Sequence, residues 1–312
     1  MEIRKDYILD RYVIVSEGRG KRPFEFKKKS DIKESKTCFF CPGNEHLTPP
    51  EIGRIGTKKQ WKVRWFPNKF SAVELEGSHS FKRENRFFTS SSAYGSHEVI
   101  AETPDHEKQM EDLSVPQIKD VFGAYIDRIQ KLSKVKGIRY VCIFKNHGKQ
   151  AGTSLIHSHS QVIAYNRIPK LVKEKIKASK KYSRCPYCSI IKKEKNSKRA
   201  CFENDSFISF TPYASRYHYE IWIFPKKHIK NITKMDNKHL TDLARMLKKI
   251  LQKLKTIDAA YNLELFYSPE KENMHFHIEI TPKLAILGGF EALSDDTINS
   301  ISPEKAAEFY RE

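Results

Sequence analysis

The sequence lacks the features that define membrane, disulfide-stapled and disordered proteins. No stretch approaches the ~18 consecutive apolar residues of a membrane-spanning helix, and the start, MEIRKDYILDRYVIV, has no uninterrupted apolar segment of a signal peptide. Six cysteines in 312 residues do not form a small disulfide scaffold, and 39% hydrophobic residues can build a core. We therefore expect a folded cytoplasmic protein of one or two domains, without a membrane partner, whose cysteines are thiols or metal ligands.

Acidic residues are scarce relative to basic ones. The chain has 57 Lys and Arg against 38 Asp and Glu, a formal net charge of +19, which attracts nucleic acids, membrane surfaces or phosphorylated small molecules. The lysines are scattered and no helix-turn-helix or RNP signature is present, so a solvated basic surface is the simpler interpretation, without nucleic acid as a partner. A zinc-stabilised nucleic-acid-binding protein stays open as an alternative of another class, recognisable by tight, steeply salt-dependent binding.

The second half of the chain repeats, in the same order, four features of the first half. The first set is Cys38-x-x-Cys41, Pro104-Asp105-His106, a helix over 115–134, and His157-x-His159-x-Gln161. The second set is Cys185-x-x-Cys188, a Pro-Lys-Lys-His run ending at His228, a helix over 236–256, and His275-x-His277-x-Glu279. The repeat predicts an α+β protein of two similar halves, 1–165 and 166–312, each with helices on a mostly antiparallel sheet. We expect residues 166–200 to form a linker and a loop.

Each half combines a Cys-x-x-Cys pair with distant histidines, which is a zinc-binding pattern. The ligands assigned to the first site are Cys38, Cys41, His106 and His157, and those assigned to the second are Cys185, Cys188, His228 and His275. Four protein ligands fill a tetrahedral shell, so both ions are predicted to be structural; the second metal could instead be iron or absent. Unmetallated or redox-active thiols are the alternative, which the Pro and Gly context of CFFCPGNE disfavours.

The segment HSHSQ is a candidate for phosphate chemistry. In a strand, His157, His159 and Gln161 would line one surface. The preceding loop, 146–154, is rich in Gly, Ser and backbone donors and could cradle a phosphate, which a histidine attacks through one ring nitrogen while a hydrogen bond holds the other. From spacing alone, metal-binding or core histidines explain the pattern equally well. The related HFHIE segment lacks such a loop, and we expect it to bind metal and help to place substrate.

Two further segments could contact a nucleotide. Arg19 and Arg22 lie in a basic turn, GRGKRP, where planar guanidinium groups could grip phosphate oxygens. The segment WFPNKF offers aromatic walls and an amide suited to a base. Solvated arginines and core aromatics explain these residues equally well.

Several of these stretches together resemble the galactose-1-phosphate uridylyltransferases of the histidine triad superfamily, over nearly the whole chain. The matching stretches are VSEGRGKRPFEF, CFFCPGNE, FPNKF, HEVIAETPDH, FKNHGKQAGTSLIHSHSQVIA, PYASRYHYEIWIFPKKH, HFHIEITP and GGFE. Nucleotide-sugar phosphorylases of the same family share nearly all of them. The resemblance implies two tandem histidine-triad-like halves, a homodimer, and a nucleotidyltransferase whose substrates are a nucleotide sugar and a hexose 1-phosphate.

The chemistry implied by the resemblance is a ping-pong transfer. His159 would attack the α-phosphorus of UDP-glucose, release glucose 1-phosphate and pass the uridylyl group to galactose 1-phosphate, while Gln161 would hold the transferred phosphoryl group. Positions matching phosphate or nucleotide contacts are Arg19, Arg22, Asn146, Gly152 and Ser154. Those matching the uridine-binding segment are Phe66, Asn68, Lys69 and Phe70, and those matching the hexose site are Phe290 and Glu291.

Two departures from the family pattern leave the substrates open. Family members often have Gly-Thr-Gly after GGFE, where this chain has ALSDDT. This difference leaves open which hexose is bound. The second Cys-x-x-Cys is more similar to the phosphorylase relatives than to the long-known bacterial transferases. The alternative is therefore a phosphorylase that uses the same histidine with ADP- or UDP-glucose and orthophosphate.

Overall fold

The computed structural model describes residues 1–17 and 37–312, which form two compact units. The described part of the first unit comprises 37–145 and Leu155–Lys173, and that of the second comprises 1–17, Asn146–Ser154 and Glu174–Glu312. These bounds differ from the predicted halves, 1–165 and 166–312, because 1–17 and 146–154 belong to the second unit. The two-half division stays a prediction about the sequence repeat.

Strands in the described residues are short and numerous. In chain order they are β1 (Glu2–Lys5), β2 (Tyr12–Val15), β3 (Gly53–Gly56), β4 (Trp61–Pro67), β5 (Lys82–Arg83), β6 (Thr89–Ser90), β7 (Gly95–Ala101), β8 (Tyr140–His147), β9 (His159–Tyr165), β10 (Ala200–Glu203), β11 (Phe207–Phe210), β12 (Ile221–Pro225), β13 (Tyr261–Phe266), β14 (His277–Pro282) and β15 (Thr297–Asn299).

Helices include two in a segment where none was predicted. The α-helices are α1 (Val115–Leu132), α2 (Lys170–Ser179), α3 (Pro186–Glu194), α4 (Asn237–Thr256), α5 (Gly289–Ser294) and α6 (Pro303–Arg311). The prediction of a linker and loop over 166–200 is wrong, because Val172 and Ile176 of α2 and Ile190 and Ile191 of α3 are buried at helical spacing. Lysines at the intervening positions concealed this period.

The first unit contains an antiparallel sheet with the strand order β8-β9-β7-β4-β3. Ala101 pairs with His159, Val99 pairs with Gln161, and Phe66 pairs with Val99. Paired residues lie on the same face of a sheet, so His159, Gln161 and Phe66 share one face. Helix α1 packs against β4 and β7. Its buried apolar residues include Ile118, Val121, Phe122, Tyr125 and Ile129.

The second unit contains an antiparallel sheet with the order β10-β11-β12-β14-β13, in which Phe266 pairs with His277. Helix α4 packs on β11, and α6 packs on β10. A separate small sheet has the order β1-β2-β15, where β2 and β15 run parallel. Each unit thus has helices packed on an antiparallel sheet, and the predicted α+β fold class is confirmed.

Within residues 1–17 and 37–312, every helix is too short or too polar to span a membrane.

We expect Leu247→Ala in α4 to destabilise the protein, because Leu247 is 0% exposed and its truncation leaves a cavity. The expected loss is about 2–5 kcal/mol of unfolding free energy, measured by denaturant titration of the metal-loaded protein. The exposed Gln252 on the same helix provides the control, and Gln252→Ala should change stability by less than about 0.5 kcal/mol. Equal effects of the two substitutions would contradict the packing of α4.

Candidate functional site

The predicted metal ligands of the first unit come together in one cluster, called cluster 1. Its residues are Cys38, Cys41, His106 and His157, whose ligand atoms all lie within 4.8 Å of one another. The Cys41 Sγ atom is 3.4 Å from His106 Nδ1, and Cys38 Sγ is 3.5 Å from His157 Nδ1. Ligands bonded to one tetrahedral ion at about 2.0–2.3 Å are separated by roughly 3.5 Å, so cluster 1 fits a single metal ion.

Neighbouring groups orient the ligands of cluster 1. The Nε2–H of His157 donates to the Thr103 carbonyl oxygen at 2.7 Å, which leaves the Nδ1 lone pair for a metal. Asn44 Nδ2 donates to the Cys38 carbonyl oxygen at 2.8 Å and closes the turn of the cysteine loop. Because β9 begins at His159, His157 precedes the strand instead of lying in it as predicted, and its ring turns toward the cysteines.

The second unit brings together the other predicted ligands in cluster 2. Its residues are Cys185, Cys188, His228 and His275, again with all ligand atoms within 4.8 Å. The Cys188 Sγ atom lies 3.4 Å from His228 Nδ1 and 3.5 Å from His275 Nδ1. His275 Nε2 donates to the Pro225 carbonyl oxygen at 3.0 Å, and His228 Nε2 donates to Asn273 Oδ1 at 2.9 Å. Both histidines therefore present Nδ1 to the cysteines.

One thiol in each cluster has a pKa raised well above neutral pH. Burial, and then the adjacent Cys38, raise the pKa of Cys41 to about 11. Burial and Cys185 likewise raise the pKa of Cys188 to about 11. A bound metal ion would favour the thiolates, so the donor set of each cluster is compatible with metal binding.

Of the two ring nitrogens of His159, Nδ1 has a hydrogen-bond partner and Nε2 has none within the described residues. Its Nδ1–H donates to the His157 carbonyl oxygen at 2.9 Å, and within the described residues Nε2 makes no hydrogen bond. Burial, and then the charge of Lys145, lower the pKa of His159 to about 4. The ring is therefore neutral near pH 7 and presents a lone pair on Nε2, as a nucleophile toward phosphorus requires.

Gln161, on the same sheet face, is oriented by a histidine that was not predicted from the sequence. The Nε2–H of His97 donates to Gln161 Oε1 at 2.9 Å, and His97 Nδ1 accepts from the Ala72 N–H at 3.2 Å. Asn68 Nδ2 lies 3.1 Å from the same His97 Nε2. With its oxygen occupied, Gln161 keeps its amide N–H groups as donors. No local pattern indicated His97, because its contacts depend on the pairing of β4, β7 and β9.

Aromatic side chains line the same face beside His159. The ring centroid of Phe40 lies 5.4 Å from that of Phe66 and 5.4 Å from that of His159. Phe66 is buried, whereas Lys69 and Phe70, at the end of β4, are exposed, Phe70 by 84%. The first unit thus places an apolar wall next to the open nitrogen.

The predicted phosphate loop, 146–154, belongs to the second unit. Asn262 Nδ2 donates to Asn146 Oδ1 at 2.9 Å and to the Ala151 carbonyl oxygen at 2.8 Å, so one amide holds both ends of the intervening turn. Gly152 adopts a left-handed conformation, with φ +87°, which favours glycine. Ser154 is exposed.

The remaining predicted substrate residues belong to the second unit or lie outside the described part of the chain. Phe290 and Glu291 are on α5 of the second unit; Phe290 is 42% exposed, and Glu291 Oε2 accepts from the Gly288 N–H at 2.8 Å. Arg19 and Arg22 lie outside the described residues. The structure therefore brings together His159, Gln161, Phe66 and Asn68 within the first unit.

The equivalent histidine of the second unit, His277, is closed off. Its Nδ1–H donates to the His275 carbonyl oxygen at 3.0 Å, as in the first unit, but its Nε2 accepts from Lys175 Nζ at 3.0 Å. The rings of Phe224 and Phe266 stack on His277 with centroid distances of 4.8 and 4.9 Å. His277 is 0% exposed and its Nε2 already has a hydrogen-bond partner, whereas His159 is 7% exposed.

The chain matches two families of known proteins. The family described as "Galactose-1-phosphate uridyl transferase, N-terminal domain" matches residues 2–169. A family described as a domain of unknown function (DUF4921) matches residues 95–309.

Individual relatives align over the full chain. An ADP-glucose phosphorylase of Arabidopsis thaliana is 34% identical over 100% of this chain and 92% of that protein. A galactose-1-phosphate uridylyltransferase of Thermotoga maritima is 28% identical over 100% of this chain and 98% of that protein. A crystal structure of an Arabidopsis thaliana ADP-glucose phosphorylase with bound ADP-glucose superposes with a TM-score of 0.87 at 32% identity, covering 100% of this chain and 98% of that one. The chain therefore belongs to the galactose-1-phosphate uridylyltransferase family.

Proposed function

We propose that this enzyme transfers a nucleotidyl group from a nucleotide sugar to an acceptor phosphate through a covalent intermediate on His159. The observation that carries this proposal is the His159 ring itself, with Nδ1 bonded to the His157 carbonyl oxygen at 2.9 Å and Nε2 open. Membership of a uridylyltransferase family supports the same reaction class.

In the first half-reaction, Nε2 of His159 forms a bond to the α-phosphorus of the donor. The bond from that phosphorus to the oxygen bridging the two phosphates breaks, and its electron pair leaves with the sugar 1-phosphate. In the second half-reaction, an acceptor phosphate oxygen attacks the same phosphorus, and the Nε2–phosphorus bond breaks. The positive charge that the ring carries in between is stabilised by the hydrogen bond from Nδ1–H to the His157 carbonyl oxygen.

The substrate contacts in this proposal follow the family positions. Gln161, whose oxygen is occupied by His97, donates its amide N–H to an oxygen of the transferred phosphoryl group. The further proposed phosphate and nucleotide contacts are Arg19, Arg22, Asn146, Gly152 and Ser154. The proposed base and ribose contacts are Phe66, Asn68, Lys69 and Phe70, and the proposed hexose contacts are Phe290 and Glu291.

We propose UDP-glucose as the donor and galactose 1-phosphate as the acceptor. Support comes from the galactose-1-phosphate uridylyltransferases among the relatives, such as that of Thermotoga maritima, which aligns with the entire chain. The predicted role in galactose metabolism follows from this pair of substrates.

A second candidate is a phosphorylase that cleaves ADP-glucose with orthophosphate by the same nucleophile. A specific observation favours it: the Arabidopsis thaliana ADP-glucose phosphorylase is 34% identical to this chain, and its structure with ADP-glucose superposes with a TM-score of 0.87. The two candidates share the histidine chemistry and differ only in the base and the acceptor.

Zinc is the metal we propose for both clusters, because two thiolates and two imidazoles form a ligand set that zinc prefers. Four protein ligands leave no position for substrate, so the metal's contribution is structural. Cluster 1 would tie the cysteine loop to His157, whose carbonyl oxygen orients His159. A homodimer and a cytoplasmic location stay predictions from the sequence.

Incubation of the metal-loaded protein with UDP-glucose, without an acceptor, is expected to add one uridylyl group. Native mass spectrometry at neutral pH measures it, since phosphoramidates are acid-labile. His159→Ala should abolish the adduct and lower turnover by at least about 10⁴-fold, because the nucleophile is lost. His277→Ala is the matched control, since that ring is closed by Lys175. A His159→Ala protein that still acquires the adduct would exclude His159 as the nucleophile.

A second measurement identifies which nucleotide sugar is the donor and which phosphate is the acceptor. We expect UDP-glucose to label His159 faster than ADP-glucose, and galactose 1-phosphate to discharge the label faster than orthophosphate, because the uridylyltransferase relatives are named for that acceptor. Stopped labelling reactions with each of the four combinations measure both steps. Faster labelling by ADP-glucose, with discharge by orthophosphate, establishes the phosphorylase candidate instead.

Loss of either metal is expected to destabilise the protein. Cys38→Ser and Cys185→Ser should each reduce the bound zinc from two ions per chain to one, because each substitution removes a ligand from one of the two clusters. A loss of about 3 kcal/mol would lower Tm by roughly 5 °C, because a chain of 312 residues has an unfolding entropy of about 0.65 kcal/mol/K. Cys142→Ser, at a half-buried cysteine outside both clusters, is the control. Unchanged Tm after chelation of both ions would disprove a structural role.

A further inference from the structure

A buried ion pair lies behind the strand that contains His159. Lys145 Nζ is 2.7 Å from Glu102 Oε2, and the two side chains are 1% and 0% exposed. Lys145 lies in β8, the neighbour of β9, and Glu102 directly follows β7, whose last residue, Ala101, pairs with His159. The pair therefore lies in the first unit next to the start of β9.

The ion pair contacts three consecutive residues, 158–160. Lys145 Nζ donates to the His159 carbonyl oxygen at 3.2 Å and to Ser158 Oγ at 2.9 Å. Ser158 Oγ in turn donates to Glu102 Oε2 at 2.5 Å, and Ser160 Oγ donates to Glu102 Oε1. One ion pair thus holds the candidate nucleophile's own carbonyl group and the side chains on both sides of it. We call this arrangement the clamp.

The second unit shows that such a strand forms with apolar flanks. Its equivalent histidine, His277, is flanked by Phe276 and Ile278, each 0% exposed, at the positions of the two serines. Its Nδ1–H still reaches the His275 carbonyl oxygen at 3.0 Å. Buried ion pairs are often no more stabilising than apolar packing. The same local contact of the histidine therefore forms without such an ion pair on the flanking positions.

We propose that Glu102 and Lys145 are positioning residues for His159, an inference that rests on the proposed nucleophilic role of His159. By holding the carbonyl group of His159 and both neighbouring side chains, the pair keeps Nε2 directed at the α-phosphorus while the new bond forms. Misplacement of a reacting group by about 1 Å costs roughly 100-fold in rate.

The test removes both charges together, so that neither is left buried without its partner. Glu102→Leu combined with Lys145→Met is the clamp variant. The control is Glu98→Leu combined with Arg128→Met, at a second buried ion pair of the same unit. There Arg128 Nε lies 2.7 Å from Glu98 Oε2, with side chains 5% and 2% exposed. Its other described hydrogen bonds involve Ser96 and Asp127, not residues 158–160.

Three quantities are measured for the wild type, the clamp variant and the control variant. The first is the single-turnover rate at which UDP-glucose or ADP-glucose labels His159, and the second is Tm. The third is the dissociation constant of the same nucleotide sugar, measured after His159→Ala has been added to each protein so that no label forms. We expect the clamp variant to label roughly 100-fold more slowly with an unchanged dissociation constant. The control variant should label at the wild-type rate, even where its Tm falls by a similar amount.

The inference is overturned if the clamp variant is labelled at the wild-type rate. It is also overturned if the clamp and control variants lose the same factor in labelling rate, since that would show a purely structural role. Should the clamp variant fail to fold, the double substitution Ser158→Ala with Ser160→Ala is used instead. It keeps the ion pair and removes the hydrogen bonds between the pair and the side chains on both sides of His159. Labelling about 10-fold slower is then expected, and an unchanged rate overturns the inference. If the wild-type protein is labelled by neither donor, the proposed function itself fails, and this inference fails with it.

Discussion

The hydrogen bond from His159 Nδ1–H to the His157 carbonyl oxygen, at 2.9 Å, is the interaction on which the candidate active site depends. It selects the tautomer that leaves the Nε2 lone pair free. The acceptor is itself fixed, because the Nε2–H of His157 donates to the Thr103 carbonyl oxygen and its Nδ1 faces Cys38 and Cys41. With a metal bound, cluster 1 would stabilise the backbone that orients the proposed nucleophile, and its four protein ligands would leave no open position for chemistry.

The two units share one local geometry around a histidine but differ in what surrounds the Nε2 atom of that histidine. Both contain a Cys2His2 cluster and a histidine whose Nδ1–H bonds to the carbonyl oxygen two residues earlier. In the second unit, Lys175 and two stacked phenylalanine rings occupy the surroundings of His277. In the first, the corresponding nitrogen of His159 is open. The two units thus share this backbone arrangement, and the side chains around each ring decide whether its Nε2 has a hydrogen-bond partner.

The two Cys2His2 clusters were predictable from sequence because Cys-x-x-Cys brings two thiols together within one turn, and the repeated order of motifs identified the distant histidines. The contacts of His97, Lys145 and Lys175 were not predictable, since they depend on strand register and on helix α2, whose apolar period is concealed by its lysines. The α+β class and the amphipathic helices α1 and α4 followed from apolar periodicity. Their packing on particular strands depends on contacts between distant segments, which no local pattern encodes.

The most direct test of this account is to locate the phosphorus on the histidine. Protein labelled with ¹⁵N-histidine would be charged with UDP-glucose or ADP-glucose at neutral pH and examined by NMR for ³¹P–¹⁵N coupling. The account predicts coupling to Nε2 of His159, with Nδ1 still protonated by virtue of its bond to the His157 carbonyl oxygen. Coupling to Nδ1, or to any other histidine, would contradict it.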